Sequence, residues 1–410
     1  MKKYYWLLIT LLLWLPLFSA CGNTTPPSGD GASSQYGGEA ENAPAATIAP
    51  VSAEPATSAE KPAATAEAAG SPELAKELSV YNWADYIEQA MVDDYSKQYG
   101  VKIIYDTFAS NEDLLAKLQA GATGYDVIVP SDYMVAQMIE LGLLAEIDHN
   151  HIPNLKKNVD PFFLDTPNDP GNKYCVPYLW GVTGLAYSKK FFGDTPPDSW
   201  GYIYNPELAK KAAAGGGINI LNDQREVIGE ALKYLGYSLN SEDEKQLQEA
   251  KELVKQVKPY IKTFNSEDYD ESLLVPHEVV LSMAWSGDAA QAASKTIDEA
   301  TGESDWGFIV PKEGAYIFQD NMCVTATSQR KATAEHFLNY MLEAKVAAAN
   351  TNYVYYPSTN KAAREFINED ILNDPSIYPP DEVKSKLEWG KPVGEAIFLY
   401  DQIWTEIKSQ

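Results

Sequence analysis

Two hydrophobic rhythms alternate along the chain from Leu78 onward. Dense apolar runs bounded by polar residues read as buried strands, with LSVYNW, VKIIYDTF and YDVIVP first in order. Between them apolar positions recur at helical spacing. Tyr86 to Gln98 is expected as one helix, Asn111 caps a second through Leu114, Leu115 and Leu118, and Ser131 opens a third through Val135, Met138 and Ile139. Later strands are expected at CVPYLWGVTGLAYS, GINIL, VVLSMAW, WGFIVP and CVTATS. Helices are expected around Arg225–Leu235, Glu242–Gln256, Lys331–Glu343 and Lys345–Thr351. Alternation of this kind builds doubly wound α/β sheets flanked by helices, and so many elements call for two lobes, not one oversized sheet.

The first 74 residues follow neither rhythm. Lys2 and Lys3 precede an uncharged apolar run from Tyr4 to Phe18, then small residues and Cys21. This is the layout of an export signal, too short and too early for an ordinary membrane span. A cysteine directly after two small residues resembles the bacterial lipobox, which implies a signal at 1–20 and lipidation of Cys21; Phe18 departs from the aliphatic residue usual there. The stretch that follows, to about residue 74, is rich in Ala, Pro, Ser, Thr, Gly and Glu. It has too little apolar area to offset its backbone entropy, so 21–74 is expected to be a disordered tether with a reach of roughly 40 Å.

Composition narrows the partners. A formal net charge of −26 argues against nucleic acid and anionic lipid surfaces, and suits a cationic ligand. With Cys21 assigned to the anchor, Cys175 and Cys323 remain. No spacing pattern demands that they pair, and two buried free thiols are expected. Four histidines with one close pair, His149 and His151, give no basis for a metal site.

Candidate chemistry sits at the strand exits, where open α/β sheets bind ligands. The exits carry Trp83, Asp85 and Tyr86; Ser131, Asp132 and Tyr133; Asp223 and Glu226; and Trp285 with Asp288. A polyamine needs a carboxylate near each ammonium, and flat aromatic walls along its methylenes. This set supplies both. Plainer readings stand beside it. Asp85 and Asp223 also read as helix caps, Ser131 as a cap, Asp132 as a first-turn dipole acid and Glu226 as a partner of Arg225 or Lys233. Trp285 also reads as core, and Trp180 as packing.

Seven segments in order resemble the spermidine/putrescine-binding proteins of bacterial ABC-type uptake transporters: YNWADY, YDVIVPSDYMVAQM, CVPYLWGVTGLAYS, ILNDQREVIGEALKYLGYS, MAWSGDAA, WGFIVPKEGAYIFQDNM and YVYYPSTNKAA. The resemblance implies a type II periplasmic binding protein fold, each lobe a mixed α/β sheet, joined by crossing hinge strands. The lobes would be 75–180 plus 318–364, and 181–317 plus 365–410. It further implies a monomeric non-enzyme without cofactor, held extracytoplasmically and serving transporter permease subunits. Carried over by position, it adds Phe318, Asp320 and Tyr356 to the amine-binding set. Spermidine-preferring members have Gln after the Trp of an EW motif, whereas Glu388-Trp389 is followed by Gly390 here. Phe318 and Asp288 are similar to the putrescine type, so the choice between the two amines stays open. A receptor for another cationic solute, or a hydrolase using paired carboxylates or a cysteine, are the rival readings.

Overall fold

The computed structural model describes residues 73–121 and 124–409. The expected signal, Cys21 and nearly all of the tether lie outside the described residues. Leu74 already packs against the first core, and the Ala75 N–H donates to Thr333 Oγ1 at 2.8 Å.

Ten strands occur among the described residues: β1 Glu77–Trp83, β2 Lys102–Phe108, β3 Val127–Ile128, β4 Cys175–Ser188, β5 Ile218–Ile220, β6 Thr263–Phe264, β7 Leu281–Trp285, β8 Trp306–Ile309, β9 Tyr316–Val324 and β10 Glu388–Trp389. They pair in the order β2-β1-β3-β9-β4-β7-β5-β6, with β8 on β4 and β10 on β9. Parallel triplets, β2-β1-β3 and β7-β5-β6, lie at the two ends. The antiparallel pair β4 and β9 joins them.

The 14 residues of β4 explain its unbroken apolar run. Cys175 to Val182 contributes to one buried cluster, with β1, β3 and β9; Leu185 and Ala186 belong to a second, with β5 and β7. A strand covered on both faces in two successive cores has no solvent side on which to alternate.

Several boundaries differ from expectation for local reasons. The first helix, α1, is Gln89–Tyr99 instead of Tyr86–Gln98. Asp85 takes φ 46°, and Glu88 caps α1 by accepting from the Ala90 N–H. Ser110, not Asn111, caps α2 (Asn111–Gln119) through the Asp113 N–H. The last of the expected strands is β9, which spans Tyr316–Val324, so CVTATS catches only its end. The preceding YIFQDNM is buried throughout although half of it is polar, which hides it from a hydropathy reading.

Cys175 and Cys323 form a disulfide, correcting the expectation of two free thiols. They are direct register partners on antiparallel β4 and β9, with Cα atoms 4.3 Å apart. Opposed residues of a close antiparallel pair meet the bridging requirement, and only the strand register brings them there.

Candidate ligand-binding site

Of the residues singled out above for amine binding, all but Asp132 line one cavity of about 710 Å³ of atom-free space, counted out to its mouth. They reach it from both cores. Trp83, Asp85 and Tyr86 leave the end of β1, and Ser131 and Tyr133 start α3 (Asp132–Glu140) after β3. Asp223 and Glu226 start α4 (Gln224–Tyr234) after β5, while Trp285 and Asp288 start α5 (Ser286–Lys295) after β7. Phe318 and Asp320 come from joining strand β9, and Tyr356 follows α6 (Ala344–Val354).

Hydrogen bonds orient the acids. Asp320 accepts from Tyr86 Oη at 2.7 Å and from Ser131 Oγ at 2.6 Å. Asn111 holds Ser131 in turn, donating to its Oγ at 3.1 Å and accepting from its N–H at 3.0 Å. Ser131 therefore orients Asp320 and does not cap α3 through its side chain. Asp288 accepts from Tyr356 Oη at 2.7 Å, and Glu226 accepts from Trp285 Nε1 at 2.9 Å.

The plainer readings sort themselves. Asp223 does cap α4, its Oδ1 accepting from the N–H groups of Arg225 and Glu226, and it still lines the cavity. Asp85 is no cap. Asp132 bonds the N–H of Tyr133 in the first turn of α3, outside the cavity lining. Glu226 pairs with neither expected cation: Arg225 donates to Asn240 Oδ1 and the Lys391 carbonyl, and Lys233 pairs with Glu388. Trp180 is packing, beside Phe163 and Tyr378.

Aromatic faces form the walls. The rings of Trp83 and Trp285 meet edge-on with centroids 5.6 Å apart, one from each core, and both stay half-buried. Tyr86 and Tyr356 meet edge-on at 4.8 Å, and Phe318 lies 6.3 Å from Tyr356. The Arg225 guanidinium stacks on Tyr133 at 4.9 Å and on Tyr400 at 5.2 Å, bridging the two cores.

Crowded acids inside a low-dielectric cavity resist ionisation. Burial pushes Asp320 up to about 6, Asp288 to about 7 and Glu226 to about 8. After burial, Asp270 is the next cause for Asp288, and Asp223 for Glu226. Asp85 rises to about 6 through burial and then its contact with Asp268. Seven acids line the cavity, and Arg225 is the one cation among the described lining residues. Such a site has an electrostatic deficit that a di- or polycation would fill.

Sequence reasoning missed other lining residues: Phe108, Asn111, Arg225, Ser266, Asp268, Asp270 and Tyr316. Arg225 was within the quoted ILNDQREV segment, where it was weighed only as a partner of Glu226. The run NSEDYDES carries no strand or helix signal, so nothing in its pattern points Ser266, Asp268 and Asp270 at the cleft.

Residues 90–379 match the model of the bacterial extracellular solute-binding protein family. The chain belongs to that family. It is 36% identical over 341 residues to a putrescine-binding periplasmic protein of Pseudomonas aeruginosa, covering 82% of this chain and 92% of that protein. It is 33% identical over 335 residues to the spermidine/putrescine-binding periplasmic protein of Escherichia coli, covering 81% and 91%. Among solved structures, a putative spermidine/putrescine ABC transporter protein from Listeria monocytogenes superimposes with a TM-score of 0.75 at 34% identity, over 82% of this chain and 99% of that one. These likenesses agree with the two-lobed periplasmic binding protein fold.

Proposed function

We propose that this solute-binding protein captures a polyamine, spermidine or putrescine, by closing its two lobes over the ligand, and delivers it to an ABC transporter. One observation carries the reading: seven carboxylates and a set of aromatic faces from both cores converge on one cavity with a single cation. Ammonium groups would replace the protons that the raised carboxyls hold, while the rings of Trp83, Trp285 and Phe318 cover the methylenes and attract the charges. Micromolar capture corresponds to about −8 kcal/mol, within reach of a few such contacts. The names of the relatives support the same class of ligand.

The reading includes no catalytic step. Cys175 and Cys323 are consumed in a disulfide, which removes both as nucleophiles. That disulfide also supports an oxidising, extracytoplasmic setting, where such bonds persist. Cys21 would carry the lipid and residues 22–74 the tether. Cys21→Ser should then shift the protein from the membrane to the soluble fraction, and continued membrane retention would remove the anchor from the account.

A thermal-shift panel of putrescine, spermidine, spermine, arginine and betaine tests the function. A ligand bound only by the native state raises the melting temperature once its concentration exceeds Kd. The expected result is a rise with putrescine or spermidine and none with betaine. No rise with any polyamine would sink the proposal.

A further inference from the structure

The mouth of the cavity is framed by two aspartates that face each other from opposite halves of the molecule. Asp85 follows β1, which packs in the first core. Asp268 precedes the π-helical turn Asp270–Leu274, whose Leu274 is buried in the second. Both line the cavity while remaining exposed. Both also hold the backbone in the left-handed region, at φ 46° and 55°, which Asp tolerates better than most L residues. The two carboxyls act on each other, Asp268 being the first cause after burial that raises Asp85, so when both are ionised neither has a donor to offer. Of the neighbouring charges Lys295 offsets the contact, but by less than Asp268 and Asp270 add to it. Asp270 adds a negative charge nearby, and Lys295, the cation that acts on Asp85, is held by Asp270 at 3.2 Å and by Glu271.

A second observation points to a missing cation in the same cavity. Glu226 is 6% exposed, and its Oε2 makes no full hydrogen bond, the Thr183 side chain being the one other group beside Trp285 that eases its carboxyl by hydrogen bonding. Buried carboxylate oxygens are costly to leave without a donor. The cavity is thus short of donors deep inside as well as at its mouth.

We infer that Asp268 joins Asp85 in a carboxylate clasp that receives a terminal primary ammonium of the ligand, making Asp268 a determinant of which cationic end groups are accepted. The inference rests on the polyamine reading and adds to it a residue and a preference. A primary ammonium has three N–H donors and can serve carboxylates from both lobes at once. It makes both contacts only when the lobes are shut, so this end of the ligand helps to hold them closed. A quaternary ammonium has no donor and gains only the Coulombic part.

Calorimetric titration of the full chain with putrescine and with its fully N-methylated analogue tests this. Asp268→Asn should weaken putrescine binding by about tenfold or more, the worth of one charge-assisted hydrogen bond. The analogue should lose less. Asn keeps the left-handed backbone, so folding is expected to persist, and circular dichroism checks it. Glu267→Gln removes the same charge one residue away, from an exposed side chain outside the cavity lining, and should change affinity by less than about twofold. Equal effects of Asp268→Asn and Glu267→Gln on putrescine would overturn the clasp and leave the polyamine function standing. An equal loss for putrescine and the methylated analogue would overturn the preference for primary ammonium. No putrescine or spermidine binding by the unaltered chain would overturn the function, and the clasp with it.

Discussion

Replacing Asp288 with Asn should weaken ligand binding and stabilise the empty protein at once. Asp288 sits in the first turn of α5, accepts from Tyr356 Oη at 2.7 Å, and is pushed up to about 7, first by burial and then by Asp270. Raising a carboxyl from 3.8 to about 7 corresponds to about 4 kcal/mol against its charged form. The side chain is only partly shielded, so about 2 kcal/mol is a fair discounted figure. The folded-state value is raised, so the penalty is absent below the unfolded value, grows as pH rises, and is complete above about 7. Asn keeps the acceptor for Tyr356 and carries no charge. The ligand-free variant should therefore melt a few degrees higher at pH 8 and no higher at pH 4. Binding moves the other way. Loss of one ammonium–carboxylate contact costs about 1.5–3 kcal/mol, or about 10- to 150-fold in Kd. For the unaltered protein, deprotonating Asp288 alone adds about tenfold affinity between pH 6 and pH 8, and the Asn variant lacks that increment. Calorimetry with putrescine and spermidine at pH 6, 7 and 8, beside ligand-free scanning fluorimetry, reads all three. Unchanged affinity, or a lower ligand-free melting temperature at pH 8, would refute the reasoning.

Other consequences follow from individual contacts. The Cys175 to Cys323 link closes a loop spanning a sequence separation of 148, so Cys175→Ser/Cys323→Ser should lose about 2–5 kcal/mol in denaturant titration; equal midpoints would show that the bridge adds nothing. Gly287→Ala improves helix propensity by about 1 kcal/mol, but its Cβ would fall 2.1 Å from the Tyr356 ring, so the net change in a melting scan should be destabilising, with weaker ligand binding. A rise in melting temperature with unchanged Kd would mean that Tyr356 moves aside freely. Glu230 is fully buried, its Oε2 is unpartnered, and burial holds its carboxyl well above the usual range. Glu230→Gln keeps the acceptor for the Tyr316 N–H and should leave stability at pH 7 unchanged or improved, whereas a loss above about 2 kcal/mol by urea titration would argue for a working charge there.

Much of this protein is written in local pattern. Unbroken apolar runs mark β1 and β4, which are buried on both faces, and apolar positions at helical spacing mark the helices between strands, because a helix must bury one face and the spacing records which. The strand exits are equally local, since a ligand crevice in an α/β sheet lies where strands end, and that is how Trp83, Asp85, Tyr133, Glu226, Trp285 and Asp288 could be picked out. Phe318 and Asp320 needed the family resemblance, because β9 carries polar residues that are buried only through pairing across the molecule, and Tyr356 needed it because it follows a helix and sits at no strand exit. What tertiary structure alone decided is what depends on register and on the meeting of distant segments. Cys175 and Cys323 became partners because β4 and β9 align them. Asp223 proved to be both cap and cavity wall, and Glu226 turned from the cations on its own helix to Trp285. Asp268 and Asp270 reached the cleft from a loop with no periodicity. No local spacing encodes such placements, since they arise only when two cores, folded from interleaved stretches of chain, bring their edges together.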